Sequence, residues 1–184
     1  MKSFLFDYVD TCLVPQKTIQ EISAQLYAYS QEVKQVLTTN PRYSTEYAVF
    51  DLPYDAELLS RVEKLATNIQ QLQPKMVIVI GIGGSNLGTA AVYQALYGTY
   101  YNELTTNTKL YCADTIDNRL LESLLHLTER ELQQNNTVIL VLVTKSGNTT
   151  ETLVNGAFFI ELLKKYKPHK YQEYMVVITD YDSP

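Results

Sequence analysis

The spacing of apolar residues changes partway along the chain. Between residues 16 and 37 apolar side chains recur at helical intervals, which predicts an amphipathic helix starting near Pro15. A second helix is predicted over residues 56–72, with Asp55 as its N-cap. The intervening residues 38–55 contain two prolines and no helical pattern, so they predict an extended linker.

From residue 75 onward, short continuous apolar runs alternate with helical patterns. Continuous apolar runs are typical of strands buried on both faces, and strand–helix alternation favours a parallel sheet with right-handed crossovers. The sequence predicts an α/β protein, a three-layer α/β/α sandwich with a mainly parallel sheet, preceded by N-terminal helices. The predicted strands are 76–80, 109–114, 137–143 and 174–179, and the predicted helices between them are 88–98, 117–134 and 151–166.

Two segments follow from this pattern. Residues 1–54 form an N-terminal helical segment and linker, and residues 55–184 form the sheet domain. The last predicted strand has no helix after it, so we expect a domain that is truncated at its C-terminus.

Composition excludes several classes of partner. The 184 residues are 46% hydrophobic and 19% charged, as in ordinary globular proteins, and the net charge is −5 with scattered basic residues, so no nucleic-acid partner is expected. No apolar run approaches the roughly 20 residues of a membrane helix, so no membrane partner is expected. The two cysteines, Cys12 and Cys112, lack metal-site spacing and fit a reducing compartment, which predicts a cytoplasmic protein without a metal.

Two loops at predicted strand ends carry the candidate chemistry. "GIGGSNLG" at 81–88 offers backbone N–H groups at a helix start and the hydroxyl of Ser85. "TKSGNTTET" at 144–152 places several hydroxyls around Gly147, again before a helix. A phosphate monoester has three strong acceptor oxygens and a charge of about −1.5 to −2, which such donors can surround. A tight turn and N-capping threonines are the alternative interpretation of each loop taken alone.

Nucleotide motifs fit the first loop less well. The dinucleotide fingerprint beginning at Gly81 and Gly83 requires a third glycine where Asn86 stands, although Asp114 could act as its ribose-binding acid. A triphosphate-binding loop requires lysine after Gly88, where the chain has Thr89. The triphosphate loop is therefore excluded, and the dinucleotide site stays as a weaker alternative.

With these two loops the chain resembles the phosphoglucose isomerase family and, more broadly, the sugar isomerase (SIS) fold. The first loop matches the family pattern GIGGS-x-LG throughout. The second matches a pattern of the type S-K-[ST]-x-T-T-x-E at Lys145, Ser146, Thr149 and Glu151. Thr144 replaces a serine and keeps the hydroxyl, whereas Asn148 replaces a threonine and changes that donor.

The resemblance implies an SIS-type phosphosugar-binding domain over residues 55–184. It implies isomerisation of glucose 6-phosphate and fructose 6-phosphate through an enediol, with a small-molecule sugar phosphate as ligand, no cofactor and, for the full-length protein, a homodimer. The residues expected to contact the substrate phosphate are Gly84, Ser85, Thr144, Lys145, Ser146, Gly147, Asn148 and Thr149.

The same resemblance implies that the catalytic groups lie elsewhere. In the family they are a glutamate, a histidine, a lysine and an arginine in the second half of a longer chain. His126 and His169 are interpreted here as structural, so no catalytic residue is assigned. We expect this chain to be the phosphosugar-binding part of a longer isomerase and to be inactive alone. A non-catalytic phosphosugar-binding SIS module is the alternative.

Overall fold

The helical patterns of the first third of the chain form helices in the computed structural model. The structure describes residues 8, 11–39, 46–50, 52–105 and 107–183. The chain divides into two compact units, Met1–Glu63 and Lys64–Pro184. Helix α1 spans Gln16–Thr39, and helix α2, Ala56–Gln71, crosses the division. The domain boundary predicted at residues 54 and 55 stays a prediction.

The prediction of an extended linker at 38–55 was wrong for the described part of that segment. Short 3₁₀ helices occupy Glu46–Phe50 and Leu52–Tyr54. The ring of Tyr47 packs edge-on against Tyr29 of α1, with 5.9 Å between ring centroids. This contact between distant positions favours a compact conformation. The sequence pattern of residues 38–55 alone does not indicate such a contact. Residues 40–45 and 51 of the predicted linker lie outside the described residues.

Asp55 caps α2 as predicted. The backbone N–H of Leu58 donates to Asp55 Oδ1 at 2.8 Å, which satisfies one of the donors that a helix start leaves unpaired.

Four strands form one parallel sheet, which confirms the predicted fold class. They are β1 (Met76–Ile80), β2 (Lys109–Ala113), β3 (Val138–Val143) and β4 (Met175–Ile178). The strand order is β2-β1-β3-β4, and every pairing is parallel. At the carboxyl end Ile80 pairs with Ala113 on one side and with Leu142 on the other.

Helices flank the sheet between the strands. They are α3 (Leu87–Tyr97), α4 (Tyr101–Leu104), α5 (Asn118–Gln133) and α6 (Thr150–Tyr166). The main core lies where α5 and α6 cover the sheet, and its fully buried side chains include Ile78, Leu140, Phe159 and Leu163. No helix in the described residues is long and apolar enough to cross a membrane.

The sequence pattern did not predict α4. The side-chain amide of its Asn102 makes the two hydrogen bonds that the backbone of a neighbouring strand would make. Nδ2 donates to the carbonyl of Leu110 at 2.6 Å, and Oδ1 accepts from the Leu110 N–H at 3.0 Å. Leu110 belongs to the edge strand β2, so one side chain satisfies both outward backbone groups at that point. A four-residue helix is too short to show a period.

Candidate functional site

The strand order creates a switch point between β1 and β3. After β1 the chain crosses to β2 on one side, and it later returns to form β3 on the other side. In open parallel sheets ligands bind beyond the carboxyl ends of the strands where the order reverses in this way. The loops that leave β1 and β3 at this point are the two loops singled out in the sequence.

The first of them, the glycine loop at residues 81–86, turns tightly into α3. The N–H of Gly81 extends the pairing of β1 with β2 by donating to the Ala113 carbonyl at 3.4 Å. Gly83 has a φ of +57°, a left-handed conformation that glycine adopts without steric cost, and a 3₁₀ turn runs from Gly83 to Ser85. Gly84 is exposed and Ser85 is half-buried.

Gly81 brings the glycine loop into contact with the end of β3. A methyl group built on its Cα would lie 2.8 Å from Ser85 Cβ and 2.9 Å from the carbonyl oxygen of Val143. Val143 is the last residue of β3 and directly precedes the second loop. The two loops therefore meet at Gly81, where only a residue without a side chain fits.

The second loop, the hydroxyl loop at residues 144–149, is closed by its own threonines. Thr144 is buried, and its N–H donates to the Ile178 carbonyl of β4 at 3.0 Å. The side-chain oxygens of Thr144 and Thr149 lie 2.9 Å apart. Between them Gly147 takes a φ of +72°. Ser146 is exposed, and its Oγ accepts from the Asn148 N–H at 3.4 Å.

The start of α6 is left without a side-chain cap. Thr149 occupies the N-cap position but makes no capping hydrogen bond, because its hydroxyl pairs with Thr144 instead. The first helical bond runs from Leu153 N–H to the Thr149 carbonyl, so the N–H groups of residues 150–152 have no partner within the helix. By contrast, Asp117 caps α5 by accepting from Leu120 N–H at 2.7 Å. An uncapped helix start carries partial positive charge and free donors, which suit an anion.

Lys145 lies in the hydroxyl loop and joins it to the next loop through its backbone. Its carbonyl accepts from the Asp180 N–H at 3.2 Å, which attaches the loop after β4 to the hydroxyl loop. Its side chain is exposed and supplies the cation of the hydroxyl loop.

Three buried polar residues, one at the end of the glycine loop and two in the first turns of α6, were not assigned to the site from the sequence. They are Asn86, Thr152 and Asn155, and each is at most 1% exposed. Within the described residues, the buried side-chain N and O atoms without a partner are Asn86 Nδ2 and Oδ1, Thr152 Oγ1 and Asn155 Oδ1. Buried polar atoms are nearly always hydrogen-bonded, so these are groups that a buried water molecule can satisfy. The only sequence signal for Thr152 and Asn155 was a polar side chain within the helical pattern of α6, and Asn86 was noted only as a departure from the dinucleotide fingerprint.

The structure brings all the predicted phosphate-contacting residues to one edge of the sheet and places the two histidines in or after the helices that cover the sheet. His126 on α5 and His169 after α6 are both exposed. Asp114 is exposed just after β2. Burial, with a smaller contribution from the Asp114 carboxylate, raises the pKa of the Cys112 thiol. That thiol is therefore protonated near neutral pH and is a poor nucleophile.

A separate surface cavity of about 580 Å³ lies at the opposite, amino-terminal edge of the sheet. Lys75, Thr108 and Thr137 line it where β1, β2 and β3 begin, together with residues that follow α2 and α5. Several of its polar side chains form hydrogen bonds within the protein. Asn135 Oδ1 accepts from Lys167 at 2.8 Å, and Thr108 donates to the Pro74 carbonyl at 2.6 Å. It shares no residue with the two loops.

Comparison with known proteins identifies the family. A model of the family described as "Phosphoglucose isomerase" matches residues 53–182, which include both loops. A glucose-6-phosphate isomerase of Carboxydothermus hydrogenoformans is 37% identical over 140 residues, 73% of this chain and 29% of that protein. The corresponding protein of Fusobacterium nucleatum is 33% identical over 138 residues, 71% of this chain and 29% of that protein. The chain thus spans about 29% of the length of these relatives.

Solved structures show the same fold. The crystal structure of a glucose-6-phosphate isomerase from Chlamydia trachomatis superposes with a TM-score of 0.56 and 28% identity, covering 76% of this chain and 25% of that one. A hypothetical protein from Thermus thermophilus gives a TM-score of 0.63 and 25% identity over 91% of this chain and 37% of that one. The chain belongs to the phosphoglucose isomerase family.

Proposed function

We propose that the two loops bind the phosphate group of a sugar phosphate, and that this chain is the phosphosugar-binding part of a glucose-6-phosphate isomerase. The observation that carries the proposal is the arrangement of Thr149. Its hydroxyl turns to Thr144 at 2.9 Å and leaves the start of α6 uncapped at the switch point of the sheet. A phosphate group can accept from the N–H groups that remain.

The chemistry of the surroundings fits a dianion held mainly by neutral donors. The hydroxyls of Ser146 and Ser85, the one proton that the Thr144–Thr149 hydrogen bond leaves unused, and the backbone amides at two helix starts offer several donors within two short loops. Lys145 adds one exposed cation. Hydrogen bonds from several donors to a charged acceptor are stronger than those between neutral groups, so a cluster of arginines is not required.

The isomerase activity is proposed from the relatives, which are named glucose-6-phosphate isomerase. Moving a proton between two adjacent sugar carbons requires a general base and stabilisation of the developing negative charge. The loops described here supply binding and orientation of the phosphate. We propose that the base and the ring-opening group come from parts of the longer relatives that this chain does not match, so the chain alone binds without isomerising. The homodimer is likewise proposed for the longer protein.

A thermal-shift titration of the purified chain tests the binding step. Glucose 6-phosphate is expected to raise the unfolding midpoint in a concentration-dependent way, whereas glucose and NAD are expected to leave it unchanged. The variant Ser146→Ala serves as a comparison that removes one exposed hydroxyl of the hydroxyl loop and should reduce the shift. Stabilisation by NAD, or none by any sugar phosphate, would contradict the proposal.

A further inference from the structure

Asn155 joins the two sides of the site beneath the switch point. It lies in the second turn of α6 and is completely buried. Its Nδ2 donates to the carbonyl of Thr115 at 3.0 Å. Thr115 belongs to the loop that connects β2 to α5, and β1 lies between β2 and β3 in the sheet. The bond therefore reaches from the helix that follows β3, past the end of β1, to the loop that follows β2.

The position of α6 at this point is determined by close packing. A methyl group built on Gly156 would lie 2.9 Å from Leu142 Cδ2, so the helix approaches β3 directly beside Asn155. Thr152, one turn earlier, is also buried. The first two turns of α6 are thus held by β3 on one side and by the Asn155 amide on the other.

We propose that Asn155 is a positioning residue of the phosphate site. Its amide holds the loop at residues 114–117 against α6. Because Gly81 of the glycine loop bonds to Ala113 at the end of β2, the amide thereby sets the uncapped N–H groups of α6 relative to the glycine loop. It acts through the helix and does not contact the ligand, because its side chain is fully buried. The inference rests on the proposed phosphosugar binding.

An amide is suited to this role because it donates a hydrogen bond without carrying a charge. An aspartate of the same shape can donate to the Thr115 carbonyl only when it is protonated, and burial raises the pKa of such a carboxyl group. Replacing the amide by a carboxyl group therefore makes the bond depend on pH. A residue whose only role is packing would not give a pH-dependent recovery of ligand affinity.

The test compares the unsubstituted chain with Asn155→Ala and Asn155→Asp by calorimetric titration with glucose 6-phosphate at about pH 8 and about pH 5.5. Each variant is compared with the unsubstituted chain at the same pH, because the ligand phosphate also titrates. Asn102→Asp is the matched control, since it removes a similar amide-to-carbonyl bond at Leu110, near the amino end of β2 and away from the two loops.

We expect Asn155→Ala to bind about tenfold more weakly at both pH values. Asn155→Asp should bind at least about tenfold more weakly at the higher pH and return to within about threefold of the unsubstituted chain at the lower pH. The control should change the unfolding midpoint and leave affinity within about twofold. If Asn155→Asp does not fold at the higher pH, the affinity of Asn155→Ala is compared there with that of the unsubstituted chain.

Three results overturn the inference. A loss of affinity in Asn155→Asp that is equal at both pH values indicates a packing role and overturns the positioning role. Affinity of both Asn155 variants within about twofold of the unsubstituted chain at both pH values overturns the positioning role alone. A failure of the unsubstituted chain to bind glucose 6-phosphate overturns the proposed function, and the inference with it.

Discussion

The side-chain oxygens of Thr144 and Thr149 lie 2.9 Å apart, so a hydrogen bond between its first and last residues closes the hydroxyl loop. The bond takes the Thr149 hydroxyl away from the helix start that it would otherwise cap. The local geometry thus leaves α6 with free donors at the switch point, and the predictions below test its consequences.

Replacing Thr149 by valine should weaken glucose 6-phosphate binding by about tenfold or more and destabilise the fold by about 1 kcal/mol. The substitution removes the hydroxyl and leaves the Thr144 oxygen without its partner. Thr149→Ser keeps the hydroxyl and should bind within about threefold of the unsubstituted chain. Calorimetric titration and thermal unfolding measure the two effects.

Thr108→Val is the control for that substitution. It removes a hydroxyl that donates to the Pro74 carbonyl at 2.6 Å on the opposite edge of the sheet. It should lower stability by a similar amount and leave affinity unchanged. Equal losses of affinity in the Thr108 and Thr149 variants would show that binding responds only to global stability.

Gly81→Ala should destabilise the chain by about 1–3 kcal/mol and reduce phosphosugar binding. The added methyl group would lie 2.9 Å from the Val143 carbonyl oxygen, a backbone atom that cannot rotate away, so the glycine loop must shift. Gly88→Ala is the matched comparison, because a methyl group there meets nothing within 4 Å. It should be neutral or stabilising by up to about 1 kcal/mol, since alanine is favoured in a helix. Equal tolerance of both substitutions in thermal unfolding would contradict the close approach at Gly81.

Stability should fall on acidification partly through Glu129. Hydrogen bonds from Lys165 and Tyr166 hold the pKa of its carboxyl below the usual value. The unfolded chain therefore takes up the proton first, and the contribution of Glu129 is present above the usual glutamate pKa and lost as pH falls through the folded value. Glu129→Gln should show a smaller decrease in unfolding midpoint between neutral and acidic pH. The exposed Glu122 on the same helix provides the control, and an equal effect of Glu122→Gln would count against this assignment.

Asp117→Ala should destabilise the chain by about 1 kcal/mol, because Asp117 Oδ1 accepts from Leu120 N–H at 2.7 Å at the start of α5. Asp117→Asn keeps an acceptor and should cost only a few tenths of a kcal/mol. Thermal unfolding of the two variants tests the capping role of Asp117. An equal loss of stability in both variants would indicate that the charge of Asp117 matters instead.

The sequence predicted the sheet well because its signals are local. Runs such as residues 76–80 and 138–143 are apolar throughout, and their parallel pairing brings the loops that follow them to one edge. The glycines and hydroxyls of those loops could therefore be assigned to one site before the strand order was known. The switch point between the two loops became visible only with the strand order β2-β1-β3-β4 of the structure.

The remaining features depend on contacts between distant positions. Asn155 bonds to Thr115 forty residues away, and nothing in the local pattern of α6 indicates that partner. The contact between Tyr29 and Tyr47 likewise joins α1 to a segment that was predicted to be an extended linker and that forms 3₁₀ helices. Asn86 was used in the sequence only to argue against a dinucleotide fingerprint, whereas the structure buries its side chain beside the glycine loop. Such burial is set by tertiary packing.

Backbone amide chemical-shift mapping of the ¹⁵N-labelled chain during titration with glucose 6-phosphate tests the central claim most directly. We expect the largest shifts at Gly83, Gly84 and Ser85 and in residues 145–152, with glucose producing no comparable change. Largest shifts around the cavity at the other edge of the sheet, at Lys75, Thr108 and Thr137, would contradict it, as would no shifts with glucose 6-phosphate.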